Sequence, residues 1–130
     1  VKDLTETKIA RIAMGNPETV PAGRYTREVL ISAGLWEALK PKYIYAENVR
    51  QALDYVGRGE VDAGFVFSTD PPVAKDKVQV AAVAERHQRI RYPVVVVAGT
   101  EKRETAQRFI DFLLGTEGQT VLSRYGFGKP

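Results

Sequence analysis

The sequence predicts an α/β fold: a three-layer lobe in which a mixed, mostly parallel sheet is flanked by helices. Short apolar runs typical of strands alternate with amphipathic stretches typical of helices, and glycine or proline marks most junctions between them. Such alternation is typical of right-handed βαβ units around a parallel sheet. With 130 residues, 44% of them hydrophobic, the chain is long and apolar enough for one compact domain.

The first half of the chain has the clearest alternation. Ile9 to Met14 is a short apolar run that ends at Gly15-Asn16-Pro17, as expected for a strand that enters a turn. From Arg24 the apolar spacing becomes helical, and Gly34 is expected to end or kink that helix. A second strand is predicted over Tyr43 to Ala46.

The second half begins with another helix. Asn48 is a good N-cap residue, and the apolar stripe that follows it stops at Gly57. Three further strands are predicted over Ala63 to Phe67, Val78 to Ala84 and Tyr92 to Ala98. The valine-rich part of the last strand is expected to be buried, and it is far shorter than the ~20 residues that span a bilayer. From Thr105 onward, helical spacing predicts a pair of helices separated by Gly115.

Composition excludes several classes of function. The chain has no cysteine, so it has no disulfide scaffold, thiol nucleophile or cysteine-ligated metal. Its net charge of +3 is too small and scattered to indicate nucleic-acid binding, although Arg86 to Arg91 is locally basic. The single histidine, His87, has no serine or carboxylate at a triad-like spacing. We therefore expect no catalytic residue, metal site, cofactor or nucleic-acid partner, and no enzymatic activity.

Three corners of the predicted sheet could bind a ligand, because ligands bind beyond the carboxyl ends of strands in open α/β sheets. These corners are Asn16 to Gly23, Glu47 to Val49 and Phe67 to Asp70. The first two lead into helices, whose unpaired N–H groups can hold an anion. At the first corner, Ala22 and Gly23 would offer such groups, although a plain tight turn is favoured there over an anion site.

Several segments match one family in order and spacing. The segment Asn16-Pro17-Glu18-Thr19-Val20-Pro21-Ala22-Gly23-Arg24-Tyr25 resembles the "(D/N)P…VPAG.Y" segment of the periplasmic molybdate-binding proteins of ABC importers. Glu47 to Leu53, Gly64 to Asp70 and Arg124 to Phe127 continue the resemblance. Nearly all of the chain is covered, and it corresponds to the second lobe and the C-terminal segment of the family.

This resemblance implies one lobe of a type II periplasmic binding protein, in which an oxyanion is held between two lobes by neutral hydrogen-bond donors. By position, Ala22 and Val49 would present backbone N–H groups to the anion, with Gly23 beside them. The third position usually holds a tyrosine whose hydroxyl donates. Here it is Phe67, so that contact is lost or replaced by Ser68, Thr69 or water.

The resemblance also implies a division of the chain. Residues 1–98 would be the second ligand-binding lobe with its hinge strands, and residues 99–130 would be helices that pack on the first lobe in relatives. Nothing in Val1 to Ala13 matches that first lobe. Without it, apolar side chains such as Phe109 and Leu113 would be exposed. We expect these helices to fold back on this lobe or to swap between chains in a homo-oligomer.

The function that follows from the resemblance is the capture of molybdate, and also of tungstate, by the solute-binding component of an ABC importer. Its partners would be the oxyanion and a membrane permease, and its location periplasmic or otherwise extracytoplasmic and membrane-tethered. The alternative is an effector-sensing domain of a bacterial transcription regulator, which has the same lobe architecture. The basic cluster from Arg86 to Arg91 is the one feature that favours this alternative.

Overall fold

The sheet contains three parallel strands in the order β2-β1-β3, and it confirms the predicted α/β class. A computed structural model describes all 130 residues. The strands are β1 (Ile12–Gly15), β2 (Tyr43–Ala46) and β3 (Ala63–Gly64). Ile12 of the central strand is opposite Tyr43 on one side and Ala63 on the other.

Five α-helices accompany the sheet: α1 (Pro21–Ser32), α2 (Trp36–Leu39), α3 (Val49–Gly57), α4 (Arg103–Leu114) and α5 (Thr116–Arg124). Short 3-10 helices span Lys2–Thr5, Lys40–Lys42 and Pro71–Ala74. None of the helices has the length and apolar character that crossing a membrane would require.

Helices cover both faces of the sheet, which gives the three predicted layers. Successive side chains of a strand point to opposite faces. Ile12 therefore packs with Leu30 of α1 in one cluster, whereas Ala13 packs with Ala52 of α3 in the other. All four residues of β1 are buried, as expected for a central strand with a helix on each side.

The connections bring three chain segments to one edge of the sheet. Helix α1 lies between β1 and β2, and α3 lies between β2 and β3 on the opposite face. Because the strands are parallel, their carboxyl ends share one edge, and the chain leaves β1 in the middle of it. This is the geometry at which ligands bind in open α/β sheets.

The first predicted helix starts three residues earlier than the apolar periodicity indicated. Helix α1 begins at Pro21, so the tight turn favored for Pro21-Ala22-Gly23 was wrong. Proline suits a first helical position because the N–H that it lacks has no partner inside the helix. The helix stops where predicted: Gly34 follows it with a φ of 70°, a left-handed conformation that ends helices.

Two predicted strands, Val78 to Ala84 and Tyr92 to Ala98, do not form. Both segments lack regular secondary structure, and neither pairs with another strand. The valines expected to be buried are exposed, with Val95 at 77% and Val97 at 72%. β-branched residues favour extended backbone, but a strand exists only where a neighbour supplies hydrogen bonds.

The chain forms two compact units, Val1–Gln88 and Arg89–Pro130. The first contains the sheet and α1 to α3. The second contains α4 and α5, which contact each other on either side of Gly115, and only Gly118 is buried in these two helices. Apolar side chains such as Phe109 and Val121 are exposed in this unit. The assignment of residues 1–98 and 99–130 to parts of a two-lobed protein stays a prediction.

Candidate anion-binding site

The first turn of α1 has one backbone donor without a partner. Pro21 has no N–H, and the N–H groups of Gly23 and Arg24 both donate to the Val20 carbonyl, at 3.0 and 3.3 Å. The N–H of Ala22 has no acceptor within the protein, and the residue is only 5% exposed. Of the two donors predicted at this corner, Ala22 is therefore the one that remains for a ligand.

Gly23 has a different role, which is to let α1 start directly against the end of β1. A Cβ atom on Gly23 would overlap the Gly15 carbonyl oxygen and lie 2.7 Å from the carbonyl carbon. Asn16 completes the corner, since its carbonyl accepts the N–H of Val20 at 2.8 Å and its own N–H donates to Ala46 at 2.9 Å. Gly23 thus holds Ala22 at the edge of the sheet, and its own N–H is already used.

The start of α3 is capped so that its first donors stay unpaired. The Asn48 side chain accepts the N–H of Gln51 at 2.9 Å, as an N-cap residue should. The Gln51 side chain in turn accepts the N–H of Glu47 at 2.7 Å. This leaves the N–H groups of Val49 and Arg50 without an acceptor in the protein. Val49 is half-buried, as a residue that lines a binding surface would be.

The third corner is a closed turn after β3. The N–H of Phe67 donates to the Asp70 carboxylate at 2.8 Å, and the N–H of Asp70 donates back to the Phe67 carbonyl at 3.0 Å. Phe67 is half-buried, whereas Ser68 is exposed and its hydroxyl has no hydrogen bond within the protein. Because the Phe67 amide is used internally, Ser68 is the stronger candidate donor at this corner.

A small cavity of about 140 Å³ lies at the same edge, between the ends of β1 and β2. It is lined by Asn16, Thr19, Tyr45, Ala46 and Glu47. None of the five predicted site residues lines it. The anion site predicted from the sequence therefore does not coincide with this cavity, and it stays a prediction.

Cations are close in sequence to both helix starts. Arg24 follows Ala22 by two residues, and Arg50 follows Val49 directly. Both arginines are exposed, and neither takes part in an ion pair. They add positive potential to that of the two helix N-termini, which favours the approach of an anion.

Two groups with shifted pKa values lie outside the predicted corners. Burial, with Tyr45 and Glu37 nearby, raises the pKa of Tyr43 to about 12, and its hydroxyl donates to the Trp36 carbonyl at 2.9 Å. The N–H groups of Arg11 and Ala10 hold the pKa of Asp62 below its usual value. The Asp62 side chain is exposed, and its carboxylate connects the residues just before β1 to the turn before β3.

A three-layer α/β unit with unpaired donors at the carboxyl edge of its sheet has the form of a ligand-binding lobe. The sequence pattern of the bacterial extracellular solute-binding proteins matches residues 1–128, and the chain belongs to this family.

Individual relatives agree with this assignment. The chain is 44% identical over 119 residues to YvgL of Bacillus subtilis (strain 168), named a "Putative ABC transporter substrate-binding lipoprotein", with 90% of this chain and 45% of YvgL covered. It is 42% identical over 118 residues to the molybdate-binding protein ModA of Escherichia coli (strain K12), with 90% of this chain and 46% of ModA covered.

A solved structure is also similar to the whole chain. It is titled "substrate binding domain of putative molybdenum ABC transporter from Clostridium difficile", and it superposes with a TM-score of 0.89 at 38% identity, over 100% of this chain and 57% of that one. The chain thus spans about half the length of the relatives it matches. These matches support the solute-binding prediction and give no support to the transcription-regulator alternative.

Proposed function

We propose that this chain is the oxyanion-binding half of an ABC importer's solute-binding component, with molybdate as the ligand. The observation that carries the proposal is the pair of neutral N–H donors, Ala22 and Val49, which lack acceptors in the protein and begin helices at one edge of the sheet. The E. coli relative is named for molybdate binding, and it supports this choice of anion. Tungstate, an anion of the same shape and charge, is proposed as a second ligand.

The chemistry of this site is binding without catalysis. A tetrahedral dianion exchanges water for fixed N–H donors, and the partial positive charge of two helix N-termini faces it. A hydrogen bond to a charged group contributes about 1.5–3 kcal/mol, so two give about 3–6 kcal/mol before the cost of association. An affinity of 1 mM corresponds to about 4 kcal/mol of net binding free energy, and the cost of association lowers the net value below the sum of the two bonds, so we propose that this half alone binds no more tightly than about 1 mM.

Phe67 should reduce the affinity further. The resemblance implies a tyrosine hydroxyl at this position, and phenylalanine cannot donate. We propose that Phe67→Tyr strengthens molybdate binding, by a factor of about ten if the new hydroxyl donates to the anion. Because Phe67 is half-buried, the extra oxygen has access to the surface of the turn.

We also propose that the protein delivers its oxyanion to a membrane permease. Its location would be the periplasm, or an extracytoplasmic position where it is tethered to the membrane. The family description and the lipoprotein name of the B. subtilis relative support an extracytoplasmic location.

We also propose that the exposed apolar face of α4 and α5 causes self-association of this chain. A monomeric sedimentation mass at all concentrations, with Phe109 and Val121 freely labelled by a surface reagent, would contradict self-association.

The test of anion binding uses amide chemical shifts during a molybdate titration, with sulfate and phosphate as controls. Val49→Pro is the cleanest variant because proline suits a first helical position and Asn48 before it is already extended, with ψ of 168°. Ala22→Pro deletes the other donor. Thr116→Pro is the matched control: it also begins a helix after an extended residue, Gly115, but lies outside the three corners.

We expect molybdate to shift the amides of Ala22 and Val49 in the wild-type chain more than sulfate or phosphate does. Val49→Pro and Ala22→Pro should each weaken binding about tenfold or more, the factor expected for one hydrogen bond to a charged group. Thr116→Pro should bind like the wild type. Equal responses to all three anions, or no response at these two amides, would contradict the proposal.

A further inference from the structure

Asp70 fixes the third corner through three separate hydrogen bonds. Its carboxylate accepts the N–H of Phe67 at 2.8 Å, and its N–H donates to the Phe67 carbonyl at 3.0 Å. Its own carbonyl accepts the N–H of Val73 at 3.1 Å. Both backbone groups of Phe67 are therefore bound by one residue three positions later.

The residues after Asp70 make the corner stiffer. Pro71 and Pro72 have fixed φ angles, and they begin the short 3-10 helix Pro71–Ala74. The Asp70 side chain makes no capping bond to that helix, although it precedes it directly. Instead, the Asp70 carboxylate accepts the N–H of Phe67 and closes the turn that contains Ser68 and Thr69.

The closed turn leaves its apex with unused donors. The N–H groups of Ser68 and Thr69 have no acceptor within the protein, nor does the Ser68 hydroxyl. Donors that are fixed before a ligand arrives bind it with a smaller loss of conformational freedom. A free loop of the same composition would lose that advantage.

We propose that Asp70 is the positioning residue of the third corner, and that it holds Ser68 as the donor that takes the place of the hydroxyl missing from Phe67. This inference rests on the proposed function, because it assigns a specific donor to the same anion site. Asp70 does not touch the anion and acts through Ser68.

Asp70 has two opposite effects on the binding of a dianion: its negative charge repels the anion, whereas its hydrogen bond to Phe67 positions Ser68. Two variants separate these effects. Asp70→Asn keeps a side-chain oxygen that can accept the N–H of Phe67 and removes the negative charge. Asp70→Ala removes both. Asp76 is a suitable control because it is an exposed carboxylate six residues further along the chain, and its side chain makes no hydrogen bond or ion pair.

The experiment measures the dissociation constant for molybdate from amide shifts of the full chain. Asp70→Ala should weaken binding about fivefold or more, the factor that corresponds to one typical hydrogen bond, whereas Asp70→Asn should bind as tightly as the wild type or tighter. Asp76→Ala should leave binding unchanged. Ser68→Ala should weaken binding in the wild-type chain and have no further effect in the Asp70→Ala variant, because the two residues act together.

Each other outcome contradicts the proposal in a distinct way. If Asp70→Ala lowers stability to urea but leaves the dissociation constant unchanged, Asp70 has only a structural role. If both Asp70 variants bind equally more tightly, it acts through charge alone. If the Ala variant does not fold, Asp70→Ser, a shorter acceptor, should fall between the wild type and a loss of binding. No molybdate shifts in the wild-type chain would refute the proposed function and this inference with it.

Discussion

Gly23→Ala should disrupt the corner at which α1 meets β1. The added Cβ would overlap the Gly15 carbonyl oxygen. It would also lie 2.7 Å from the Gly15 carbonyl carbon and 2.8 Å from the Asn16 carbonyl carbon. Ordinary contact begins at 3.4 Å, so α1 or the end of β1 must move by about 0.7 Å or more. The three nearest atoms are all backbone, so rotating a side chain cannot relieve this overlap.

The magnitude follows from three contributions. Overpacking a buried site costs about 1–3 kcal/mol, and an overlap with backbone lies at the upper end. Weakening the Val20–Asn16 hydrogen bond adds about 1 kcal/mol. Alanine is a better helix former than glycine, which returns about 1 kcal/mol. The expected loss in the free energy of unfolding is therefore about 3 kcal/mol, measured by urea denaturation and far-ultraviolet circular dichroism.

Two other glycines serve as controls for this measurement. Gly128 has open space around it and an ordinary φ, so Gly128→Ala should change stability by less than about 0.5 kcal/mol. Gly34 also has open space but a φ of 70°, so Gly34→Ala should cost about 1–2 kcal/mol through backbone strain alone. A Gly23→Ala protein as stable as the Gly128→Ala protein would refute the close approach of α1 to β1.

Two further predictions concern stability. Hydrogen bonds from Arg11 and Ala10 lower the folded-state pKa of Asp62, so its contribution to stability should be present above the unfolded-state pKa and be lost as pH falls through the lower folded-state value. Asp62→Ala should therefore lower the free energy of unfolding at neutral pH, and urea denaturation should show this variant and the wild type converging in acid. A difference that stays constant with pH would contradict this linkage. A Cβ on Gly118 would overlap the Phe112 carbonyl oxygen and lie 2.7 Å from the Leu113 Cα. Gly118→Ala should therefore lower the free energy of unfolding by about 1–3 kcal/mol and reduce hydrogen-exchange protection in α4 and α5. Unchanged protection in these helices would argue against the close approach of α5 to the end of α4.

Local pattern was sufficient for the elements that build the first unit. The strand at Tyr43–Ala46 and the N-cap at Asn48 were predicted at the correct residues, because alternation, turn chemistry and capping depend on neighbours in sequence. The start of α1 was missed, since apolar periodicity begins only at Arg24 and a first turn has no buried stripe of its own. Pro21 at the first position was the signal that could have identified it.

Long-range contacts account for the errors and omissions elsewhere. Residues 92–98 have the composition of a strand, but whether they form one depends on a pairing edge that no local pattern reports. The role of Asp62 depends on the N–H groups of Ala10 and Arg11, 52 and 51 residues earlier, which only the fold brings within reach. Asp70 bonds to Phe67 only three residues earlier, so its role had a local signal that the sequence analysis did not use. For Gly23, the sequence left a plain tight turn as the favoured interpretation, and the contacts with Gly15 and Asn16 at the end of β1 show tight packing instead.

The unpaired donors at Ala22 and Val49 are main-chain amides, and this determines how the site responds to its surroundings. A main-chain amide N–H does not titrate in the pH range where proteins fold, so acidification adds no charge to it, as it would to a histidine, and leaves it a donor. If the proposed site is correct, the contribution of these two donors stays constant as pH changes. Any pH dependence at these two contacts then comes from the protonation of the oxyanion.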